Sequence, residues 1–391
     1  MLKIAFVNPM SVDNLALYDV SLLKSMLQDK SELLIRYYGN EDINADIPRA
    51  VNFKGIYRYR KYCTPVKGLS YLISQIKLIS ELIRFFPDIV HIQWPKIPIL
   101  DNFVWRLLKW KLPSALFIHT SHNPLPHDAP PVSALCWKPF YRLMDGIIVH
   151  HRYSADALVR DFPVSVDKIS VIPHGPLRFP VDRESLESRV QDIRLRIGGG
   201  QLPSKPIVMF LGYLRPYKGP DLFLEAVSGL GVRQLAHYVI VGSGRLPYRL
   251  KGEDVSHVTR VNEKFRLDDF LCYLNAADLI VMPYRSISQS GLLMTAVSEG
   301  VPVLVSDRGG MPDVVRRHNA GWILESTGIP SLRLSLKKLL LNPSVLYAAR
   351  RSMDKATLRE LAQEWDEIGS ETTGFYKSIH DSAGKGGNSG I

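Results

Sequence analysis

The chain alternates between short, almost wholly apolar segments and longer segments in which apolar residues recur at helical spacing. A short apolar run predicts a buried strand, and the helical spacing predicts an amphipathic helix. The strands predicted in the first half lie at 3–8, 33–38, 88–93, 115–119, 146–150 and 169–172. Those predicted in the second half lie at 207–211, 238–241, 258–261, 279–282, 301–305 and 321–324.

Strand–helix alternation predicts an α/β fold in which a parallel sheet is covered on both faces. Because the alternation restarts, we expect two doubly wound, Rossmann-like domains, at 1–180 and 204–355. The charged segment 181–203 closes with three glycines and is predicted to be a linker. A terminal helix is predicted at 356–380, and the glycine-rich end 381–391 is expected to be disordered.

Two local expectations concern the first half of the chain. The segment 54–69 is basic and aromatic and is predicted to be irregular, with a helix following at 72–86. A second amphipathic helix is predicted at 101–112, with Asp101 as its own N-cap residue.

Composition narrows the class of protein. The chain has 391 residues, of which 46% are hydrophobic, and its three cysteines are far apart. This favours a reducing cytoplasm over a disulfide framework. The apolar run in the N-terminal sequence MLKIAFVNPM is too short for a signal peptide. No apolar run in the chain is long enough to span a bilayer.

The net charge of +11 is concentrated in one region, because residues 51–112 hold 11 Lys/Arg and 3 Asp/Glu. Tyrosine and tryptophan are interleaved with the cations over residues 57–112, a pattern typical of contact with an anionic membrane surface. A solvated basic face is the alternative. Nucleic acid would attract the same charges, but no nucleic-acid motif accompanies them, so no nucleic-acid partner is predicted.

The most distinctive stretch is 283–315, where a strand leads through the turn SISQSG into a helix. The first backbone N–H groups of a helix have no partner within the helix, so they favour an anion on its axis. Ser290, Gly291 and Leu292 are therefore predicted to hold the diphosphate of a nucleotide sugar, and Gly291 would permit close approach.

A second phosphate-binding signal follows the strand at 207–211. Gly212, Arg215 and Lys218 lie between this strand and a helix, and two cations there would neutralise the charge that develops on a leaving diphosphate. The alternative is an exposed turn with incidental cations. Weaker candidates for ligand contact follow other strands of this half: Gly242, Gly244 and Tyr284.

Ligands of open parallel sheets bind beyond the carboxyl ends of the strands. The loop 119–128 at such an end holds three His, one Asn and one Asp. No distant Cys or carboxylate cluster completes a zinc site, so no metal and no other cofactor is predicted. His122 and Asp128 are predicted to act as a general base or as a hydrogen-bonding cap on a sugar hydroxyl, with ordinary loop hydrogen bonding as the alternative. Other strand ends of this half carry Asn8, Trp94, His119, His150 and His174.

The motifs together resemble the GT-B glycosyltransferases, most closely glycosyltransferase family 4. The matching pieces are FLGYLRPYKGPDLFLEA, VIVGSG, LNAADLIVMPYR, SQSGLLMTAVSEGVPVLVSDRGGMPDVV, HTSHN and VIPHG. The resemblance implies that the domains face each other across a cleft, the first binding the acceptor and the second the nucleotide sugar. It further implies that the helix at 356–380 crosses back to the first domain, that Arg215 and Lys218 contact the diphosphate, and that His122 faces the transferred sugar.

The chain departs from this family at its usual Glu-x7-Glu pattern. Alignment on Gly300 and Pro302 puts Ile287 and Thr295 at the two acidic positions. Glu299 lies one helical turn beyond Thr295 and is a candidate to replace the ribose contact; otherwise it only caps or solubilises the helix end. The loss leaves a retaining or inverting mechanism open. An inverting one needs a base, for which Asp128 is the first choice and His122 the second.

The resemblance implies transfer of a hexose from a nucleoside diphosphate sugar to an acceptor hydroxyl. The basic aromatic region suggests a lipid-linked saccharide acceptor, as in exopolysaccharide, capsule or O-antigen synthesis, and a peripheral location on the inner face of the cell membrane. Two alternatives are a catalytically weak protein that binds nucleotide sugars or a partner, and a soluble small-molecule glycosyltransferase.

Overall fold

A computed structural model describes residues 1–28, 32–58, 64–125, 133–177, 179, 181–229, 231–244, 256–262, 267–288, 290–353 and 355–386. The chain divides into two compact units. The first unit is formed by Met1–Gly175 together with Gln363–Ile391, and the second by Pro176–Ala362. The predicted α/β class with two doubly wound parallel sheets is confirmed.

The first unit contains a seven-stranded parallel sheet in the order β3-β2-β1-β4-β5-β6-β7. Its strands are β1 (Leu2–Val7), β2 (Leu33–Asn40), β3 (Asn52–Tyr57), β4 (Ile89–Ile92), β5 (Leu116–Thr120), β6 (Gly146–Val149) and β7 (Ile169–Val171). Its helices are α1 (Asp13–Met26), α2 (Thr64–Phe85), α3 (Pro98–Lys111), α4 (Ser133–Leu143) and α5 (Arg152–Asp161).

The second unit contains a six-stranded parallel sheet in the order β10-β9-β8-β11-β12-β13. Its strands are β8 (Ile207–Leu211), β9 (His237–Val241), β10 (Val258–Val261), β11 (Leu279–Met282), β12 (Val303–Val305) and β13 (Gly321–Ile323). The helices from here to the end of the chain are α6 (Arg183–Ile197), α7 (Pro220–Val227), α8 (Leu267–Ala276), α9 (Gly291–Ser298), α10 (Met311–Arg317), α11 (Ile329–Leu341), α12 (Ser344–Ser352) and α13 (Lys355–Gly386).

Strand β8 shows why these apolar runs form buried strands. Ile207, Met209 and Leu211 pack into one hydrophobic core, whereas Val208 and Phe210 pack into another. Successive side chains of a strand point to opposite faces. A run that is apolar at every position therefore requires helices on both faces of the sheet.

The structure differs from the sequence-based expectation in the basic segment 54–69. Its first part belongs to β3, and α2 already begins at Thr64. The helix predicted at 101–112 begins at Pro98, so Asp101 is not its N-cap residue. The buried Asp101 instead accepts hydrogen bonds from the Ile97 N–H and from the hydroxyl of the buried Tyr71.

The segment 181–203, predicted to be a linker, is largely helix α6 of the second unit. The side chain of Asp182 caps it by accepting from the Ser185 N–H at 3.0 Å. Arg194 of α6 pairs with Asp278, just before β11, at 3.2 Å. The charged residues of this segment therefore belong to a helix, and some of them form ion pairs with other residues of the second unit.

The terminal helix α13 runs to Gly386, so residues 381–386 of the expected disordered tail are helical. Residues 387–391 lie outside the described residues. Within the described part of the chain, no helix combines the length and the apolar character that a bilayer span requires.

Candidate active site

Each sheet has a point at which the strand order reverses, and crevices form at the carboxyl ends there. In the second unit this point lies between β8 and β11. The loop after β8 carries Gly212 to Lys218, and the loop after β11 carries Tyr284 to Ser290. The two loops are joined by a hydrogen bond of 2.7 Å from the Arg285 N–H to the Tyr217 carbonyl oxygen.

Arg285 also clamps these loops through its side chain. Its guanidinium donates to both carboxylate oxygens of Asp221, at 2.8 and 2.5 Å, and to the Pro216 carbonyl oxygen at 2.8 Å. A bidentate pair of this kind fixes geometry as well as adding energy. Arg285 therefore acts as a structural clamp between the ends of β8 and β11.

Gly212 and Gly242 bring the carboxyl ends of β8 and β9 into close approach. A Cβ on Gly242 would lie 1.8 Å from the Gly212 carbonyl oxygen, which no side chain could tolerate. Gly212 itself has a φ of +124°, a conformation that side-chain-bearing residues avoid. Gly244 follows in the same turn, and a Cβ there would lie 3.1 Å from the Leu214 carbonyl oxygen.

Lys218 lies beside this glycine turn. Its Nζ is 3.2 Å from the position that a Cβ on Gly212 would occupy and 5.6 Å from the centre of the Tyr284 ring. Burial, and secondarily the neighbouring Arg215, lowers the pKa of Lys218 to about 8. Arg215 is exposed on the preceding turn. The structure therefore brings Gly212, Gly242, Lys218 and Tyr284 together.

The N-terminus of α9 follows directly after the Tyr284 loop. Ser290 is its N-cap residue, and its hydroxyl accepts from the Leu293 N–H at 3.3 Å. The amides of Gly291 and Leu292 occupy the first turn, where backbone N–H groups lack partners within the helix. The predicted anion-binding turn thus has the geometry that its sequence implied.

The two residues further along α9 have other contacts. Thr295 is fully buried, and its hydroxyl donates to the Gly291 carbonyl oxygen at 2.8 Å. Glu299 lies at the opposite end of the helix, where its carboxylate accepts from Arg183 at 2.8 Å and from Asn275 at 3.1 Å. These contacts favour a structural role for Glu299 over the expected ribose contact. Ile287, at the other family position, is buried.

In the first unit, polar residues that follow β4, β5 and β6 meet. The Trp94 and His122 rings stack with centroids 4.4 Å apart and an interplanar angle of 8°. His122 Nε2 lies 2.8 Å from Gln93 Oε1, and His122 Nδ1 lies 3.2 Å from His150 Nε2. Sequence reasoning placed His122 and His150 here but missed Gln93, because a lone glutamine in an apolar strand carries no distinctive signal.

Tyr18 of α1 completes this cluster. Its ring contacts those of His122 and His174, each with a centroid distance of 4.8 Å, and that of Trp365 on α13 at 5.5 Å. Burial lowers the pKa of His174 to about 4 and those of His122 and His150 well below the ordinary range. These rings are therefore neutral at pH 7.

A buried carboxyl lies on the same helix as Tyr18. Asp19 accepts from Asn8 Nδ2, at the end of β1, and from the Tyr37 hydroxyl, both at 2.6 Å. Burial raises its pKa to about 7, although both hydrogen bonds act in the opposite direction. The signal that could have revealed this buried carboxyl is an acidic residue within the otherwise apolar segment LALYDV.

Asp128, the first choice for a base, lies outside the described residues, so its role stays a prediction. Among the residues that the structure describes, no group of three or more His, Cys, Asp or Glu side chains is arranged to hold a metal ion. The nitrogens of His122 and His150 bond to each other instead of converging on a common point.

Family models match both parts of the chain. Residues 39–175 match a model described as Glycosyltransferase Family 4, and residues 205–342 match one described as Glycosyl transferases group 1.

Similar proteins come from several organisms. The chain is 28% identical over 282 residues to the UDP-Gal:alpha-D-GlcNAc-diphosphoundecaprenol alpha-1,3-galactosyltransferase of Escherichia coli, covering 68% of this chain and 69% of that protein. It is 27% identical over 259 residues to sulfoquinovosyl transferase SQD2 of Arabidopsis thaliana, covering 63% of this chain and 48% of that one. The chain thus spans about half the length of this relative and of several others.

A solved structure of similar fold is the sucrose-phosphate synthase from Thermosynechococcus elongatus. It has a TM-score of 0.71 at 16% sequence identity and covers 98% of this chain and 100% of its own.

Proposed function

The chain belongs to the group 1 and family 4 glycosyltransferases and has their GT-B fold, and from this premise we propose that it transfers a hexose. The donor is a nucleoside diphosphate sugar, and the acceptor is a hydroxyl of a lipid-linked saccharide. The reaction serves exopolysaccharide, capsule or O-antigen synthesis. The name of the E. coli relative, which pairs UDP-Gal with a diphosphoundecaprenol-linked sugar, supports this choice of substrates.

The observation that carries the donor assignment is the site between β8 and β11. Lys218 and Arg215 lie on one loop, and the first turn of α9 opens from the other. Cations on one loop and free backbone N–H groups on the neighbouring one suit a diphosphate and would stabilise the charge that grows on it as it leaves. These groups would hold the donor without a metal ion, so none is required in the proposed reaction.

Removal of the acceptor proton is assigned first to Asp128 and second to His122. Both ring nitrogens of His122 lie within hydrogen-bond distance of Gln93 or His150, which disfavours it as a base. Because Ile287 and Thr295 occupy the usual acidic positions, these residues do not indicate whether the transfer retains or inverts the anomeric configuration of the sugar. Determining the anomeric configuration of the product decides between the two mechanisms.

The direct test incubates the purified protein with UDP-, GDP- and ADP-sugars and a polyprenyl-diphosphate-linked saccharide. We expect a product one hexose heavier, and the variant Asp128→Asn should bind donor but lose transfer. Wild-type turnover in that variant would remove Asp128 from the mechanism. Tight nucleotide binding without turnover on any acceptor would favour a protein that binds nucleotide sugars without transferring them.

The membrane partner is proposed from an exposed surface of the first unit, the α2–α3 face. Apolar side chains protrude from both helices, among them Ile76, 61% exposed, Phe103, 67%, and Trp110, 70%. Exposed cations flank them, among them Lys67, Lys77, Arg84, Arg106 and Lys111. Aromatic and apolar groups enter the headgroup layer, and each cation near anionic lipid adds about 1 kcal/mol.

Flotation with vesicles of phosphatidylglycerol and phosphatidylcholine tests this face. Wild-type protein should float at low salt, and the double variant Phe103→Ser/Trp110→Ser should stay at the bottom. Leu341→Ser is the matched control, because Leu341 of α11 is 64% exposed but lies in the second unit. Failure of the wild type to float would favour a soluble small-molecule glycosyltransferase, whereas floating supports a peripheral location on the inner membrane face.

A further inference from the structure

A continuous chain of hydrogen bonds runs through buried side chains at the carboxyl ends of β4, β5 and β6. The Gln93 amide lies 2.8 Å from His122 Nε2, and His122 Nδ1 lies 3.2 Å from His150 Nε2. His150 Nδ1 lies 2.9 Å from the Ile172 carbonyl oxygen. All four residues belong to the first unit.

The Ile172 end of this chain decides where the protons lie. A carbonyl oxygen only accepts, so His150 Nδ1 carries a proton and donates it. In a neutral His150 ring, Nε2 then has a lone pair and accepts. His122 Nδ1 must therefore be the donor to His150.

The Gln93 end decides the charge of His122. If Gln93 presents its oxygen, His122 needs a second proton, on Nε2, and becomes a cation. If the amide presents its NH₂ group, which has nearly the same shape, His122 accepts through Nε2 and is neutral.

The surroundings of His122 favour the neutral ring. A buried cation without an anionic partner is costly, and the titratable side chains that act on or pack against His122 are themselves neutral: Tyr18, His91, His119, His150 and His174. Burial, with the neighbouring histidines, lowers the pKa of His122. The NH₂ group, in place of the oxygen Oε1, is therefore assigned to the amide position that faces His122.

This orientation also satisfies the other side of Gln93. The amide position that faces away from His122 lies 3.2 Å from His91 Nε2, which in turn lies 2.7 Å from Thr120 Oγ1. The His91 Nε2–H group donates to Thr120 Oγ1, and an oxygen at this amide position is a second, longer acceptor for the same N–H group and lies 3.5 Å from the Thr120 hydroxyl. His91 Nδ1 then accepts from the hydroxyl of Tyr376 on α13.

We infer that Gln93 and His150 are positioning residues that hold His122 as a neutral imidazole, with its proton on Nδ1 and the Nε2 lone pair covered by the Gln93 amide. His122 can then take a proton from an acceptor only after Gln93 has moved, which supports Asp128 as the base. The inference rests on the proposed function only for what His122 does to the sugar, since the proton position is a property of the folded chain.

Ring-nitrogen NMR of ¹⁵N-histidine-labelled protein tests the inference without any activity. The chain has 11 histidines, and the His122 signals are identified by their absence in His122→Gln. We expect Nδ1 of His122 to resonate as a protonated nitrogen and Nε2 as an unprotonated one at pH 7. The reverse pattern, or two protonated nitrogens, overturns the inference.

Two variants extend the test. Gln93→Glu replaces the NH₂ donor by an acceptor and should protonate both nitrogens of His122 at pH 7, whereas Gln93→Leu should not. His150→Phe should remove the preference for Nδ1. His174→Phe is the control: its ring lies 6.2 Å from that of His122, and its Nδ1 faces the Gly175 carbonyl, so the proton should stay on Nδ1. If the spectra agree but the wild type transfers no sugar, the proposed function fails and the proton assignment stands.

Discussion

Lys218 is the residue whose ionisation bears most directly on the proposed donor site. Hydrogen bonds to charged groups contribute about 1.5–3 kcal/mol, so Lys218→Ala should lower kcat/KM for the donor by about 10- to 100-fold. Lys205→Ala, at an exposed lysine of the same unit, is the control. Steady-state kinetics with varied donor measure both, and an unchanged kcat/KM in Lys218→Ala would exclude the residue from the site.

The same lysine predicts a pH dependence of donor binding. Because burial lowers the pKa of Lys218 to about 8, its positive charge is lost as the pH rises through that value. Wild-type affinity for a nucleoside diphosphate should therefore fall above pH 8, and the affinity of Lys218→Ala should show less of this fall. Titration calorimetry from pH 7 to pH 9.5 measures the difference, and parallel curves would contradict the prediction.

Asp19 predicts a pH dependence of stability. Its pKa is raised by burial from 3.8 to about 7, so between these values the folded chain holds a proton that the unfolded chain has released. The unfolding free energy of the wild type should then fall relative to Asp19→Asn as the pH rises from 4 to 7, and level off above 7. Urea denaturation measures this, with Asp156→Asn, at an exposed helix position, as the control without such a trend.

Glu299 illustrates a residue for which the structure favours a different role. Its carboxylate is 7% exposed and pairs with Arg183, at the end of α9 opposite the turn that is predicted to bind an anion. Glu299→Ala should therefore cost about 1 kcal/mol of stability and leave the donor KM unchanged. A KM that rises with little loss of stability would restore the ribose contact.

At the scale of elements, the part of α13 that belongs to the first unit packs closely at Gly369 but not at Gly374. A Cβ on Gly369 would lie 2.6 Å from the backbone carbon of Ser25, whereas one on Gly374 meets nothing within 4 Å. Gly374→Ala should stabilise the protein by about 0.5–1 kcal/mol through helix propensity alone. Gly369→Ala should destabilise it, because overpacking against backbone costs about 1–3 kcal/mol. Thermal unfolding of the two variants compares them, and equal shifts would mean that α13 does not pack closely there.

Elements with a continuous apolar pattern were predicted well, and those without one were not. The strands β8, β9 and β11 agree with their apolar runs within a residue. Strand β3 was missed because it lies at a sheet edge and its side chains are largely partly exposed or exposed, so no burial pattern marks it. Helix α6 was mistaken for a linker because its polar residues bind neighbours such as Asp278, which a local pattern does not reveal.

At the scale of the whole molecule, nucleotide binding should stabilise the fold. A ligand at 100 times its Kd adds about 2.7 kcal/mol when it binds only the folded state. One of UDP, GDP and ADP should raise the melting temperature more than the others, and Lys218→Ala should reduce that rise. If none of the three shifts the melting temperature, the donor assignment is wrong.

The sequence by itself determined the two parallel sheets, the helix start at Ser290 to Leu292 that is predicted to bind an anion, and the placing of Lys218 at a strand end. These features are local: apolar runs specify buried strands, and a Ser/Gly turn before a helix specifies its free amides. Only the tertiary structure decided that Gln93 and His150 flank His122, that Asn8 and Tyr37 hold Asp19, and that Glu299 pairs with Arg183. The last pair is 116 positions apart in the chain. Packing of the folded chain brings such distant residues together, and burial then shifts the pKa values of His122 and Asp19.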